Sequence, residues 1–174
     1  SGLGEIIKYG LIADKLFFDD LSKWLDDIDN IPIEKCIENK KLQVLILTPT
    51  RELASQVYEE ISWLKGERNL NMAAFYGGVS IEPQIEKLES GLELLVGTPG
   101  RIIDLIRRGN IDTSQIKLFI LDEADRMLDM GFTPQIELIL KFIPKNHQTL
   151  LFSATLPNNI LKISEKYLKN PERI

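Results

Sequence analysis

Two carboxylates at the end of a short apolar run are the residues of this chain whose types and spacing best suit chemistry. The run Leu118–Leu121 leads directly into Asp122-Glu123-Ala124-Asp125. Carboxylates beside a buried strand are costly unless their charge is compensated, and a divalent cation with a nucleotide phosphate would compensate it. Asp122 at the strand tip suits Mg²⁺ bound through water, and Glu123 can orient or deprotonate an attacking water. The plainer alternative is that acidic residues simply begin the loop after the strand.

Three other apolar runs also end in polar signatures. Residues 44–47 lead into Pro49-Thr50-Arg51-Glu52-Leu53-Ala54, residues 94–96 into Gly97-Thr98-Pro99-Gly100-Arg101, and residues 149–152 into Ser153-Ala154-Thr155. An open parallel α/β sheet places its ligands beyond the carboxyl ends of its strands. The four runs therefore predict a fold and a site together, although the last signature could also cap a following helix.

The rest of the pattern predicts the elements that hold these signatures in place. Strand and helix alternate from about residue 42, as in a chain of βαβ units. Predicted strands are 43–47, 72–76, 93–96, 118–121 and 149–152, and predicted helices are 52–64, 81–90, 101–108, 126–131, 134–142 and 157–168. Ser80 is predicted to cap the second helix. Residues 42–174 are expected to form one α/β domain, an open and mainly parallel sheet with helices on both faces.

Residues 1–41 have a different character. Apolar residues recur at helical spacing between Phe17 and Ile28, and acidic residues would lie on the outer side of that helix. An amphipathic helix docked on the domain is predicted here, with a partner-binding helix as the alternative. Residues 5–12 are compatible with either a strand or a helix.

Composition limits the kinds of partner. The formal charge is −5 and the pI is about 5.0, whereas proteins that hold nucleic acid by bulk electrostatics are usually basic. Any nucleic-acid contact must then be local, through a few arginines and backbone N–H groups. No stretch is apolar enough to span a membrane. The single cysteine, Cys36, fits a reducing intracellular compartment, nucleus or cytoplasm, and the single histidine, His147, is predicted at the surface.

In combination, the signatures resemble those of the first RecA-like domain of DEAD-box ATP-dependent RNA helicases. The matching segments, in their family order, are residues 49–54 (motif Ia), Gly77-Gly78, residues 98–101 (motif Ib), residues 122–125 (motif II) and residues 153–155 (motif III). Residues 127–132 and 148–152 are also family-like. The match spans residues 42–174, and its specificity comes from the whole set because each short motif alone is weak.

The resemblance implies a role for each matching position. Six positions are implied to hold single-stranded RNA through its sugar–phosphate backbone, with little sequence preference. They are Thr50, Arg51, Gly78, Thr98, Gly100 and Arg101. Asp122 and Glu123 match the magnesium-binding and water-activating positions, which implies ATP and Mg²⁺ as cofactors. Asp125, Ser153 and Thr155 match residues that couple the nucleotide site to RNA and to a second domain. The implied partners are single-stranded or duplex RNA and a second RecA-like domain of the same protein.

One signature of this class is missing. A Gly-x-x-x-x-Gly-Lys-Thr loop should cradle the phosphates, yet no two glycines have that offset and no Gly-Lys pair occurs. The upstream Q motif, which recognises adenine, is missing as well. The 174-residue chain is therefore expected to bind ATP weakly or not at all and to be inactive by itself.

Several explanations of the missing loop stay open. The chain could begin downstream of it, with residues 1–41 as an insertion, the sequence could omit a segment, or the protein could be an ATPase-inactive RNA-binding or scaffolding relative. A DNA translocase would share the Asp-Glu strand tip, but would not be expected to share the Thr-Pro-Gly-Arg and Ser-Ala-Thr set. Because loss of the loop's strand would expose neighbouring strands, residues 5–12 or a neighbouring chain are expected to take its place.

Overall fold

A seven-stranded sheet organises the part of the chain that the structure describes. This computed structural model describes residues 11–14, 41–67, 69–155, 158–168 and 171–173, so the predicted helix between Phe17 and Ile28 lies outside the described residues, as does Cys36. The strands are β1 (Leu11–Asp14), β2 (Val44–Leu47), β3 (Met72–Phe75), β4 (Leu94–Gly97), β5 (Leu118–Leu121), β6 (Gln148–Phe152) and β7 (Pro171–Arg173).

The strand order is β3-β4-β2-β5-β6-β1-β7. The first five of these strands are parallel, as the sequence predicts, because each is followed by a helical crossover. β1 runs antiparallel to β6 on one side and to β7 on the other. Part of the segment 5–12 thus lies inside the sheet, which agrees with the hypothesis that this region takes the place of the missing strand.

Helices cover both faces of the sheet. They are α1 (Arg51–Lys65), α2 (Glu82–Glu89), α3 (Pro99–Arg107), α4 (Ala124–Asp129), α5 (Thr133–Phe142) and α6 (Asn158–Tyr167). Side chains alternate between faces along each strand. Leu45, Leu95 and Phe119 face the core shared with α3 to α6, whereas Val44 and Val96 face the core shared with α1. Burial on both sides explains why these strands are apolar throughout.

Helix starts are where the sequence predictions are least accurate. The helix predicted at 101–108 begins at Pro99, and the turn predicted at 126–131 begins at Ala124. The prediction that Ser80 caps α2 is wrong, because Ile81 occupies that position and makes no side-chain cap. The Ser80 hydroxyl donates instead to the Glu82 carboxylate, and this short polar contact lowers the pKa of Glu82.

His147 also differs from its prediction. Its ring packs edge-on against Phe119, with ring centres 6.4 Å apart, and its Nδ1 lies 2.6 Å from the Pro144 carbonyl oxygen. The residue is half-buried, so the prediction of a surface histidine is only partly right. Among the described residues, no helix has the length and apolarity that a membrane crossing needs.

We predict that Gly97→Ala destabilises the fold by roughly 1–3 kcal/mol. A Cβ at Gly97 would lie 2.5 Å from Ile102 Cδ1 and 2.8 Å from the Phe75 carbonyl oxygen, and the latter is backbone that cannot move aside. Gly100→Ala is the matched control, since a Cβ there meets nothing within 4 Å. Urea unfolding followed by circular dichroism measures both variants, and equal midpoints for the two would contradict the prediction.

Candidate functional site

Backbone hydrogen bonds align the ends of four neighbouring strands. The Asp122 N–H donates to the Leu47 carbonyl (2.9 Å), the Thr48 N–H to the Gly97 carbonyl (3.0 Å), and the Thr98 N–H to the Phe75 carbonyl (3.0 Å). The polar residues that follow β2, β3, β4 and β5 therefore emerge at one edge of the sheet, as the sequence predicts.

Thr50 and Arg51 begin α1 directly beyond β2. The Thr50 hydroxyl caps the helix by accepting from the Leu53 N–H at 3.2 Å. Arg51 is exposed, and its guanidinium carbon lies 5.7 Å from the centre of the Tyr76 ring. Arg51 also lies 3.7 Å from the Glu52 carboxylate, an exposed pair of small energetic value. The Arg51 guanidinium is thus positioned by an aromatic face, while it stays open to solvent.

Thr98 and Gly100 begin α3 beyond β4. The Thr98 side chain makes no cap hydrogen bond, and Pro99 has no N–H to donate. Within the described residues, the N–H groups of Gly100 and Arg101 have no acceptor in the first turn of this helix. Unsatisfied N–H groups and the helix dipole favour an anion there, and the missing side chain of Gly100 leaves open space around them.

Arg101 has a different environment from the one its motif suggests. Its Nη2 donates to the Val79 carbonyl at 2.8 Å, and its Nη1 is buried without a partner among the described residues. Gly78 stands in the same turn with φ +79°, a conformation that favours glycine. Arg101 therefore ties the Gly77-Gly78 turn to α3, and this contact brings the two RNA-binding candidates Gly78 and Arg101 together.

Asp122 is the more buried of the two candidate catalytic carboxylates. Burial raises its pKa to about 6, the negative charges of Glu123 and Glu60 act in the same direction, and the Glu123 N–H, which donates to Asp122 Oδ1 at 3.0 Å, opposes them. No cation is paired with Asp122 among the described side chains. A carboxylate kept partly dehydrated and without a counter-charge is suited to binding a cation.

Glu123 has a left-handed backbone conformation, with φ 50° and ψ 51°, which is unfavourable for a residue with a side chain. It occupies the position before the first residue of α4. Arg126 Nη1 lies 3.0 Å from Glu123 Oε2, three residues along the chain. The Arg126 guanidinium thus contacts one oxygen of the Glu123 carboxylate and leaves the other oxygen without a described partner.

Asp125 links the tips of β5 and β6. Its Oδ2 accepts from the Thr155 hydroxyl (2.7 Å) and from the Thr155 N–H (2.9 Å), and its own N–H donates to the Ser153 hydroxyl (3.2 Å). The Ser153 hydroxyl in turn donates to the Thr155 carbonyl at 2.6 Å. Burial acts to raise the pKa of Asp125, but these hydrogen bonds and the Arg126 N–H together lower it.

The structure thus brings together every candidate residue at the carboxyl edge of the sheet, while sequence reasoning missed two contributors. Arg126 carries a detectable signal, since a basic residue three positions after Glu123 reaches it on a helix. The sequence signal for Tyr76 is weak, since it consists only of an aromatic residue that precedes two glycines. Its contact with Arg51 depends on how α1 crosses the sheet.

The donor set fits Mg²⁺ but not a complete nucleotide. Magnesium sites commonly use one or two carboxylates, several waters and phosphate oxygens. Asp122 meets that requirement, and no group of three or more potential ligand side chains occurs among the described residues. No phosphate-cradling glycine loop is present in the sequence, so the backbone groups that would hold the terminal phosphates are not supplied by the described residues.

Comparison with known proteins agrees with this arrangement. Residues 28–163 match the family model described as DEAD/DEAH box helicase. A probable ATP-dependent RNA helicase of Methanocaldococcus jannaschii is 52% identical over 136 residues, which are 78% of this chain and 37% of that protein. The ATP-dependent RNA helicase DeaD of Escherichia coli is 45% identical over 138 residues, 79% of this chain and 22% of that protein.

Solved structures show the same likeness. A crystal structure of a DEAD box protein from Methanococcus jannaschii superposes with a TM-score of 0.73 at 51% identity, covering 76% of this chain and 36% of that one. The yeast DEAD-box splicing factor Prp28 gives a TM-score of 0.67 at 35% identity, with 74% and 31% covered. The chain belongs to the DEAD/DEAH box helicase family, and it spans well under half the length of these relatives.

We predict that Asp122→Asn stabilises the metal-free chain at pH 7–8 by about 1–3 kcal/mol. The folded-state pKa of Asp122, about 6, is above the ordinary value of 3.8, so the charge costs stability above pH 6, and that cost disappears as the pH falls toward 3.8. The advantage of the variant should shrink in the same interval. Urea unfolding in EDTA between pH 4 and 8 measures it, with exposed Asp129→Asn as control. A pH-independent difference would contradict the prediction.

We predict that Thr155→Val destabilises the fold by about 1 kcal/mol and moves the pKa of Asp125 upward, because one charge-assisted hydrogen bond is lost. The lowered pKa of Asp125 contributes stability above the ordinary aspartate value, and that stability is lost as the pH falls through the lowered pKa. Carbon-detected NMR titration follows Asp125 directly. Thr155→Ser keeps the hydroxyl and should behave as wild type, so an equal loss in both variants would refute the role of the hydroxyl.

Proposed function

We propose that this chain forms most of the first RecA-like domain of an ATP-dependent RNA helicase, which in the complete protein couples ATP hydrolysis to local separation of RNA strands. Residues 42–174 would be that domain without its phosphate loop, and residues 1–41 an insertion or docking segment that contributes β1 to the sheet. The observation that carries the proposal is the hydrogen-bonded link between Asp125 and residues 153–155, next to the acidic pair.

That link would connect the proposed nucleotide site to the segment that follows β6. Asp125 is three residues from the candidate magnesium ligand Asp122, and Thr155 lies in the segment that joins β6 to α6. A change at the nucleotide site that moves α4 must therefore stretch or break bonds to the β6 tip. The family's proposed coupling of the nucleotide site to RNA and to a second domain needs a connection of this kind.

The RNA side of the proposal rests on backbone groups and exposed side chains. The open N–H groups at the start of α3, the exposed Arg51 and the Gly77-Gly78 turn all suit phosphates and sugars. None of them presents a pattern that reads base edges. The proposed substrate is therefore single-stranded RNA, or an RNA duplex being opened, bound with little sequence preference.

On the nucleotide side, Asp122 would hold Mg²⁺ through water, and the ion would neutralise charge on the phosphates. Glu123 would orient or deprotonate the attacking water with the oxygen that Arg126 does not hold. The proposed chain by itself binds ATP weakly or not at all, since the phosphate cradle is missing from its sequence. An RNA-binding or scaffolding protein without ATPase activity is the competing function, and activity of the complete protein separates the two.

We predict that Glu123→Gln in the complete protein lowers RNA-stimulated ATP turnover by at least about 10²-fold, because general base catalysis is lost. Affinity for single-stranded RNA should stay within about twofold of wild type, since Glu123 is not among the RNA-binding candidates. A coupled phosphate-release assay and fluorescence anisotropy with a short RNA measure the two quantities.

Exposed Glu165→Gln on α6 is the matched control and should change neither quantity. Unchanged turnover in the Glu123 variant would overturn the role given to Glu123. Absence of turnover in the wild-type complete protein, with RNA binding intact, would favour the scaffolding function.

A further inference from the structure

A groove of about 390 Å³ runs along the outer edge of the sheet and reaches the strand tips described above at Tyr76. Its floor is β3, and its two walls are α1, through Tyr58, and α2, through Pro83. Among the residues that the structure describes, β3 pairs with β4 alone, so no described strand occupies its other edge along this groove. Open edges are usually protected by charge, proline or a covering segment, but β3 is Met72-Ala73-Ala74-Phe75.

The backbone atoms on that edge can be assigned from the pairing. The carbonyls of Asn71 and Phe75 accept from β4 and the segment after it, so residues 71, 73 and 75 face inward. In a parallel pair the intervening residues direct both N–H and C=O to the other side. Met72 and Ala74 therefore present their N–H and C=O groups to the groove, spaced as a strand presents them to its neighbour.

The Gln84 side chain closes the upper end of the groove, because its amide makes a hydrogen bond that a neighbouring strand would otherwise make. Gln84, which is only 8% exposed, donates from Nε2 to the Tyr76 carbonyl at 3.3 Å, the next outward-facing acceptor after Ala74. Its Oε1 is buried without a partner among the described residues. This amide sets one end of the accessible edge, and its unsatisfied acceptor is a polar cost that a donor from a ligand would relieve.

Opposite charges stand on the two walls at the lower end. Glu59 on α1 and Lys87 on α2 both line the groove, and the structure pairs neither side chain with a charged partner among the described residues. The side chains of a strand point alternately to its two faces. A strand added to β3 would thus direct one residue toward Glu59 and the next residue toward Lys87.

We propose that the outer edge of β3 is a docking site for an extended peptide of a partner protein, which adds a strand to the sheet and carries a basic residue directly beside an acidic one. Backbone hydrogen bonds to Met72 and Ala74 supply affinity, and the Glu59 and Lys87 side chains select the charged pair. RNA is disfavoured as the occupant, because Glu59 repels phosphates and a sugar–phosphate chain cannot satisfy the alternating donors and acceptors of a strand edge.

This site is next to the proposed RNA track but does not depend on it. Tyr76 lines the top of the groove, and its ring carries the Arg51 guanidinium at 5.7 Å. A peptide in the groove packs beside Tyr76 and so contacts a residue that positions Arg51. The interaction is present or absent whether or not this chain takes part in RNA unwinding, so a failure of either proposal leaves the other standing.

Two synthetic peptides of identical composition test the proposal on the 174-residue chain. Acetylated and amidated Thr-Val-Thr-Lys-Glu-Val-Thr places its charges on opposite faces of a strand, whereas Thr-Val-Lys-Thr-Glu-Val-Thr places them on the same face. Calorimetry and amide chemical shifts should show that the first binds with Kd below about 1 mM and the second at least roughly fivefold more weakly. Methylation of the alternate amides that face β3 should abolish binding, and methylation of the other set should not.

Charge reversals in the chain complete the test. Glu59→Lys should weaken binding of the first peptide roughly fivefold to tenfold. The double variant Glu59→Lys, Lys87→Glu should restore its binding, with the peptide shifted by one residue along β3. Exposed Glu86→Lys on α2 should leave the affinity for the peptide unchanged. The proposal is overturned if neither peptide binds, if both methylated sets bind equally, or if Glu59→Lys has no effect. It is also overturned if single-stranded RNA displaces the peptide in the Arg51→Ala variant, or if the edge is occupied by a second copy of the chain in sedimentation experiments.

Discussion

In-register parallel pairing of β4, β2, β5 and β6 is the constraint on which the rest of the molecule depends. Leu47 is paired with Gly97 on one side and with Leu121 on the other, and Leu121 is paired with Leu151. Because each of these residues is the last or the next-to-last of its strand, four loops leave the sheet at nearly the same level. A shift of one residue in any pair would move a whole strand's side chains to the wrong face.

The same pairing imposes the site's energetic cost. β5 is buried on the face it shares with α3 to α6, and it ends in a carboxylate whose pKa burial raises to about 6. Glu123 adds an unfavourable backbone conformation directly after it. Asp125 works in the opposite direction, because its hydrogen bonds to residues 153–155 favour its charged form and join β5 to β6. Asp122 and Glu123 therefore destabilise the fold, whereas Asp125, in the same four-residue segment, stabilises it, as expected where function and stability compete.

Close approach of α3 to the sheet decides how the polar residues reach solvent. Gly97 leaves room for Ile102 and for the Phe75 carbonyl, so α3 can begin immediately beyond β4. This position exposes the first turn of α3 and lets Arg101 reach the Val79 carbonyl. On the outer side of the same region, Tyr76 contacts Arg51 and lines the β3 groove. The proposed RNA track and the proposed peptide edge consequently share one aromatic side chain.

Local patterns were sufficient for most of the architecture. Four apolar runs with polar ends and the alternation of strand and helix predicted five strands and their common direction, because strands buried on both faces are apolar throughout. Helical spacing predicted the six helices between and after them. Helix starts were less accurate, as at Ser80 and Pro99, since a cap depends on which polar group a side chain can reach first. The partial burial of His147 was not predicted, because a lone polar residue carries no sign of the ring it will pack against.

The sequence by itself determined which residues are candidates for the site and in which order they follow their strands. Tertiary structure alone decided that Arg101 is engaged with the Val79 carbonyl and that Arg51 lies over the Tyr76 ring. It also decided that Leu11–Asp14 joins β6 from a segment whose pattern was ambiguous. The physical reason is the same in each case: these contacts join residues distant along the chain, and their geometry follows from strand register and helix crossing, which no local pattern of residues records.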